Sequence, residues 1–333
     1  MLFIGTPRGL ENRLVPAAGF PLRVIQIGRL NSVSLGTKVR TLSVLPRAIW
    51  DAAQMISDFR PEVVIGVGGY ASGPAMLAAA LRRIPTLVFE PNYVPGLANR
   101  IMAPVASAAA VQFAETGRYF RHCKVTGVPV RSDFFQVSEG TNGRGGKPPT
   151  LLVFGGSQGS HLINQAVISS VSHLQEAIPG LQIIHQTGER DFAVAQESYA
   201  KNGVTVETHR FLEDMAGFFA RADLVLCRSG ASTVAELAAA GKPAILVPFS
   251  GAADDHQKRN AEALRSAGAA LMLEEPDLRE ETLVPMVSGV LRDHFRLRSM
   301  AEAAKKLSRP NAAKDIGEMA ASLVHRSLRR SGA

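Results

Sequence analysis

Short apolar runs alternate with longer amphipathic stretches along almost the whole chain, and this alternation constrains the fold more than any other feature. The runs predict strands at 2–5, 22–27, 62–67, 86–89, 108–112 and 123–126. A second series follows at 150–154, 182–186, 204–207, 223–227, 244–247 and 270–273. Several are continuous in Val, Ile and Leu, the pattern of strands buried on both faces. Helical stretches such as 38–57, 162–175, 233–240 and 257–266 lie between them. The alternation predicts an α/β fold of parallel sheets covered by helices on both faces.

A chain of 333 residues exceeds what one hydrophobic core usually serves, so two domains are expected. The break falls at 138–149, where Gly, Pro and polar residues dominate and a loop or linker is predicted. The predicted domains are 1–137 and 150–315, with an amphipathic helix at 316–330 free to pack back on the first.

The formal charge of +8 suits phosphorylated substrates, an anionic membrane face or nucleic acid, and equally a plain solvated surface. One Trp and four Tyr are too few for a base-stacking platform, so no nucleic-acid partner is expected. Cys123 and Cys227 stand far apart and in no metal-ligand spacing, which fits a reducing cytosol. No apolar run reaches the roughly 20 residues of a membrane span, and Pro104 interrupts the Ala-rich stretch 101–114. The first ten residues lack the features of a signal peptide, so any membrane contact is expected to be peripheral.

Five segments carry candidate chemistry. Gly155-Gly156-Ser157-Gln158-Gly159-Ser160 follows a strand and opens a helix, where free N–H groups and the helix dipole favour a phosphate. It matches neither the Walker loop nor the strict dinucleotide fingerprint, and a plain tight turn is the other reading. In Arg228 to Glu236, Ser229 or Ser232 reads as a helix cap, and Glu236 as an acid favoured by the dipole or as a ribose ligand. Asp254-Asp255-His256-Gln257 reads as a helix start or as sugar-hydroxyl ligands. Glu90, in Phe89-Glu90-Pro91-Asn92, reads as structural or as a general base. Arg131, after Gly127-Val128-Pro129-Val130, reads as exposed or as a phosphate fork. Residues 65–73 and 153–160 echo one another, each a strand running into glycines and then a helix.

Taken in order, these segments resemble the MurG family. The resemblance adds Phe3-Ile4-Gly5-Thr6, Leu14-Val15-Pro16, Gly68-Gly69-Tyr70-Ala71-Ser72-Gly73-Pro74, His185-Gln186-Thr187-Gly188 and Phe211-Leu212-Glu213-Asp214-Met215, so it spans nearly the whole chain. It implies two Rossmann-like domains facing a cleft, the GT-B glycosyltransferase fold. The implied activity is inverting transfer of N-acetylglucosamine from UDP-N-acetylglucosamine to undecaprenyl-pyrophosphoryl N-acetylmuramyl pentapeptide, in peptidoglycan synthesis. By the same resemblance Gly156, Ser157 and Arg131 hold the diphosphate, and Phe211 and Leu212 the uracil. Glu236 takes the ribose, and Ala231, His256, Gln257 and Asn92 read the sugar. Gly68, Gly69 and Tyr70 belong to the acceptor site, and Glu90 is the candidate for the proton step. No metal or other cofactor is implied, and the implied location is peripheral, on the anionic cytoplasmic face of the inner membrane.

The family begins with a strand, then Gly-Gly-Thr-Gly-Gly-His and a helix. This chain starts at the strand that follows, so the resemblance implies a first domain without its first strand–loop–helix unit. Two other readings stand beside the transferase: a UDP-sugar-binding protein without turnover, and a UDP-sugar 2-epimerase, for which the chain offers too few acid/base residues around a sugar ring.

Overall fold

A computed structural model describes residues 1–7, 9–27, 35–137 and 148–331, the side chains of 35–42 and 328–331 excepted. The predicted linker lies outside the described residues over 138–147. The strands are β1 (Phe3–Gly5), β2 (Leu22–Val24), β3 (Val64–Gly66), β4 (Thr86–Glu90), β5 (Ala108–Val111) and β6 (Cys123–Val125). Then come β7 (Thr150–Phe154), β8 (Gln182–Gln186), β9 (Glu207–His209), β10 (Leu224–Cys227), β11 (Ala244–Leu246) and β12 (Ala270–Met272). Each matches an apolar run except β9, which starts where the predicted strand 204–207 ends. Val204 and Val206 pack against the core without entering the ladder. The pairing with β8 begins at Ile184 opposite Glu207. Apolarity there marks burial of a loop.

The chain divides into two compact units, Met1–Gly127 with Asn311–Ala333, and Val128–Pro310. The boundary thus precedes the predicted one at 137. The reason is Phe134, fully buried with its ring edge-on to Phe219 at 5.3 Å, which fastens the segment after Gly127 to the second unit.

In the first unit β3-β4-β5-β6 form a parallel sheet, and β1 pairs with β2, also parallel. Helices Leu35–Phe59 and Ser72–Leu81 meet through Ala52, Ala53, Ala75, Ala78 and Ala79, small side chains that let their backbones approach. The last helix, Ala312–Ser331, lays Ala320 and Leu323 on Leu87 of β4 and Ala110 of β5. Lys124 of β6 and Asp315 of that helix add an ion pair at 2.7 Å.

In the second unit six parallel strands run in the order β12-β11-β10-β7-β8-β9. β7, β8, β10 and β11 are almost wholly buried, as their unbroken apolarity demands. Helix His161–Ala177 covers them with Ile163, Val167, Val171 and Leu174, and helix Glu280–Leu291 with Leu283, Val287 and Val290. The strand order reverses between β7 and β10. In open sheets of this kind ligands bind at the carboxyl ends of the strands at such a switch point.

Candidate functional site

The loop leaving β7 stands at that switch point. Gly156 and Gly159 have φ of +97° and +76°. A Cβ on Gly159 would lie 2.0 Å from the Thr187 carbonyl oxygen, and one on Gly188 2.0 Å from that of Gln158. The turns after β7 and β8 therefore interlock with no room for side chains. Ser160 occupies the N-cap of helix His161–Ala177, but its side chain caps no N–H. Instead its hydroxyl accepts from Arg228 Nη2 at 2.7 Å. The helix start keeps its N–H groups uncapped by side chains behind exposed Gly156 and Ser157, which favours an anion.

A buried polar network supports this loop from behind. Asn164 Nδ2 donates to the Thr187 carbonyl and to Asp191 Oδ2, both at 2.8 Å. Its Oδ1 therefore faces His185 Nε2, 3.1 Å away, and must accept from it. That fixes the tautomer: His185 Nδ1 accepts from the Tyr199 hydroxyl at 2.6 Å. Burial pushes the His185 imidazole down to about 3, so it is neutral. Burial alone would raise the Asp191 carboxyl, but hydrogen bonds from Asn164 and His161 hold it below the ordinary carboxylate range.

Arg228 is the functional side chain that the sequence reading passed over. Its guanidinium donates to Ser160 Oγ and to the Val247 and Pro248 carbonyls, pairs with Glu275 at 2.6 Å and lies 5.4 Å from the Phe249 ring centre. One side chain thus joins the loops after β7, β11 and β12 to the end of β10. The available signal was an arginine directly after the all-apolar run 224–227.

Ser229 is not a helix cap. The N-cap of helix Ala231–Ala240 is Gly230, with no side-chain hydrogen bond. The buried Ser229 hydroxyl donates to the Gln257 carbonyl at 2.8 Å, and Asn260 Nδ2 donates to the Ser229 carbonyl at 3.1 Å. Gln257 Oε1 accepts from Phe249 N at 3.1 Å, and His256 Nδ1 lies 2.7 Å from the Ala253 carbonyl, to which it donates. Asp255, the N-cap of helix His256–Ser266, does not cap by side chain either; Asp254 and Asp255 both have positive φ, 53° and 52°, a strained backbone that delivers His256 and Gln257 to the helix start.

Glu236 lies on the second turn of helix Ala231–Ala240, whose first residue is the half-buried Ala231. Burial raises its carboxyl above the ordinary range, while the charge of Arg131 pulls the other way. Burial outweighs the pull of Arg131 on this acid. Arg131 itself is exposed, its guanidinium 5.3 Å from the Phe134 ring centre. After β9, Leu212 is 4% exposed and Phe211 57%, and Gln186 Nε2 holds the Arg210 carbonyl beside them at 3.1 Å.

Gly68, Gly69, Tyr70, Glu90 and Asn92 belong to the first unit. Gly68 and Gly69 have φ of +87° and +76° and lead into helix Ser72–Leu81, so the echo between 65–73 and 153–160 is structural. Glu90 is 1% exposed. Its Oε1 accepts from Asn92 N and Nδ2, and its Oε2 from Gly96 N at 2.9 Å and Asn99 Nδ2 at 2.8 Å. Two donors on each oxygen make it a keystone of segment 91–99. Service as a base requires one of these bonds to open.

Fold and site together define a glycosyltransferase built on two parallel α/β units of the GT-B class. Residues 1–111 match the model of the glycosyltransferase family 28 N-terminal domain, and residues 150–316 that of the family 28 C-terminal domain. A UDP-N-acetylglucosamine--N-acetylmuramyl-(pentapeptide) pyrophosphoryl-undecaprenol N-acetylglucosamine transferase of Anaeromyxobacter sp. (strain K) is 44% identical, over 98% of this chain and 85% of its own. A protein of the same name from Syntrophotalea carbinolica is 44% identical over 94% of this chain and 87% of its own. The crystal structure of Acinetobacter baumannii MurG superposes with a TM-score of 0.79 at 31% identity, covering 96% of this chain and 90% of that one. The chain belongs to the MurG family. A Neisseria meningitidis UDP-GlcNAc 2-epimerase, at 14% identity and a TM-score of 0.65 (95% of this chain, 90% of that one), shares the fold alone.

Proposed function

We propose that the chain transfers N-acetylglucosamine from UDP-N-acetylglucosamine to the 4-hydroxyl of undecaprenyl-pyrophosphoryl N-acetylmuramyl pentapeptide, with inversion at the anomeric carbon. The observation that carries the donor half is the switch point between β7 and β10, where a glycine turn and two uncapped helix starts converge. In this reading the diphosphate lies against Gly156, Ser157 and Arg131, and the uracil against Phe211 and the Leu212 backbone. The ribose hydroxyls donate to Glu236. Ala231, His256, Gln257 and Asn92 face the sugar.

As the acceptor hydroxyl attacks, charge accumulates on the departing diphosphate. Fixed N–H groups and dipoles at the starts of helices His161–Ala177 and Ala231–Ala240 stabilise that charge with no reorganisation during the reaction. Metal independence is part of the proposal. Glu90 serves the proton step either as acceptor or by fixing Asn92, and Gly68, Gly69 and Tyr70 face the acceptor. No helix among the described residues is long and apolar enough to cross a membrane. Docking on the anionic cytoplasmic leaflet would draw on the net charge of +8.

The test is transfer of radiolabelled N-acetylglucosamine to a lipid-linked muramyl pentapeptide, with the anomeric configuration of the product read by NMR. A β-linked disaccharide is expected. A well-folded sample that binds UDP-N-acetylglucosamine without transferring it would sink the transferase reading.

A further inference from the structure

Phe249 stands on the loop that leaves β11, at the carboxyl edge of the second unit's sheet, where ligands bind. It is 47% exposed. One aromatic side chain in water needs no explanation by itself. What sets Phe249 apart is how it is held. Its backbone N donates to Gln257 Oε1 at 3.1 Å. The Arg228 guanidinium lies 5.4 Å from its ring centre. Gly251 closes on the ring from the same loop: a Cβ there would lie 2.6 Å from Phe249 Cζ and 2.9 Å from Cε1. The loop thus carries a glycine where any side chain would displace the ring.

The neighbours define the chemistry of this corner. Arg228 is engaged by the protein itself, through Ser160 Oγ, the Val247 and Pro248 carbonyls and Glu275. Gln257 Oε1 is taken by Phe249 N, so the end of that amide left for a ligand is the donor Nε2. His256 Nδ1 donates to the Ala253 carbonyl, so the neutral ring keeps Nε2 as an acceptor. One donor, one acceptor and one aromatic surface meet here. A pyranose has this chemistry in reverse: hydroxyls around its rim donate and accept, while the C–H groups on its faces are apolar. Small-molecule sites combine aromatic surface with a few placed polar groups in the same way.

We infer that the Phe249 ring is the platform for the C–H face of the donor sugar, with the sugar's hydroxyls turned toward Gln257 and His256. The inference rests on the donor reading above, which brings the sugar to the start of helix His256–Ser266. A pyranose laid on a held aromatic ring keeps one orientation, and with it one position of the anomeric carbon against the diphosphate. Such positioning lowers the entropic part of the barrier. The platform acts on the sugar alone, because the nucleotide is read by other loops.

The competing role for the ring is to cover Arg228, and the test separates the two. Binding of UDP-N-acetylglucosamine and of UDP is measured by calorimetry on wild type, Phe249→Ala, Phe249→Leu and Phe249→Tyr. Thermal melting checks folding, and initial rates of transfer are measured beside it. Phe249→Leu still covers Arg228 but offers no aromatic face. Phe249→Tyr keeps that face.

Phe249→Ala is expected to weaken the sugar nucleotide at least about tenfold and to leave UDP within about twofold. Phe249→Leu should weaken the sugar nucleotide at least about threefold, and Phe249→Tyr should keep both ligands within about twofold. Equal losses for the two nucleotides in Phe249→Ala, or full recovery of sugar-nucleotide affinity in Phe249→Leu, would assign the ring to covering Arg228 and overturn the inference while the transferase reading stands. Unchanged affinities in every variant overturn it as well. A loss confined to the sugar nucleotide, in a protein that transfers nothing, keeps the platform and removes the transferase reading.

Discussion

Gly159 and Gly188 stand back to back, each at positive φ and each with the other's neighbouring carbonyl where its own Cβ would be. Neither turn can take its shape unless the other does. Gly159→Ala and Gly188→Ala are each expected to cost more than the ~1–2 kcal/mol of a left-handed L-residue, because a backbone collision is added. Calorimetric affinity for UDP should fall at least about tenfold in both. Gly203→Ala, also at positive φ but with open space around its Cβ, is the control and should leave UDP binding intact.

Glu236→Gln keeps the shape of a half-buried side chain and removes its charge. If the carboxylate accepts from the ribose, UDP affinity should fall by about 1.5–3 kcal/mol, the range for hydrogen bonds to charged groups. Titration calorimetry at neutral pH reads the change. Unaltered affinity would take the ribose away from this residue.

Glu90→Gln separates the two tasks open to that side chain. The amide would turn its own N–H groups toward Asn92, Gly96 or Asn99, so the keystone role predicts a lower melting temperature and a raised KM for the acceptor. A base would show instead a kcat loss of about 10²–10⁴ with melting unchanged. We expect the first pattern, with the pH dependence of kcat retained.

The proposed reliance on helix starts predicts that exhaustive treatment with EDTA leaves transfer unchanged. Loss of activity restored by magnesium or manganese would assign the diphosphate to a metal.

His185 makes stability depend on pH. Its folded-state value near 3 lies below the ordinary histidine value, so the unfolded chain binds the proton more readily. The stability is complete above about pH 6.5 and is lost as the pH falls through the window down to about 3, with a slope near 1.4 kcal/mol per pH unit. Urea unfolding between pH 7 and 5 measures it. Tyr199→Phe, which strips the donor from His185 Nδ1, should cost about 1–3 kcal/mol at neutral pH.

The α/β class was legible because burial on both faces writes itself into continuous apolar runs such as 151–154 and 224–227. β9 was misplaced because Val204 and Val206 are apolar for packing reasons that a strand pattern imitates. The glycine turns were legible as turns. That two of them interlock was not, since the contact joins positions far apart in sequence. Ser229 looked like a cap because local spacing cannot reveal a long-range partner such as the Gln257 carbonyl. Arg228 escaped for the same reason, its partners coming from three separate loops.

The final helix has a consequence for biosynthesis. It covers Leu87 and Ala110, residues translated some two hundred positions earlier. The second unit, continuous from Val128 to Pro310, uses no part of that helix and can fold without waiting for it. The first unit therefore waits for a helix translated long after its sheet, and until that helix arrives Leu87 and Ala110 stay uncovered.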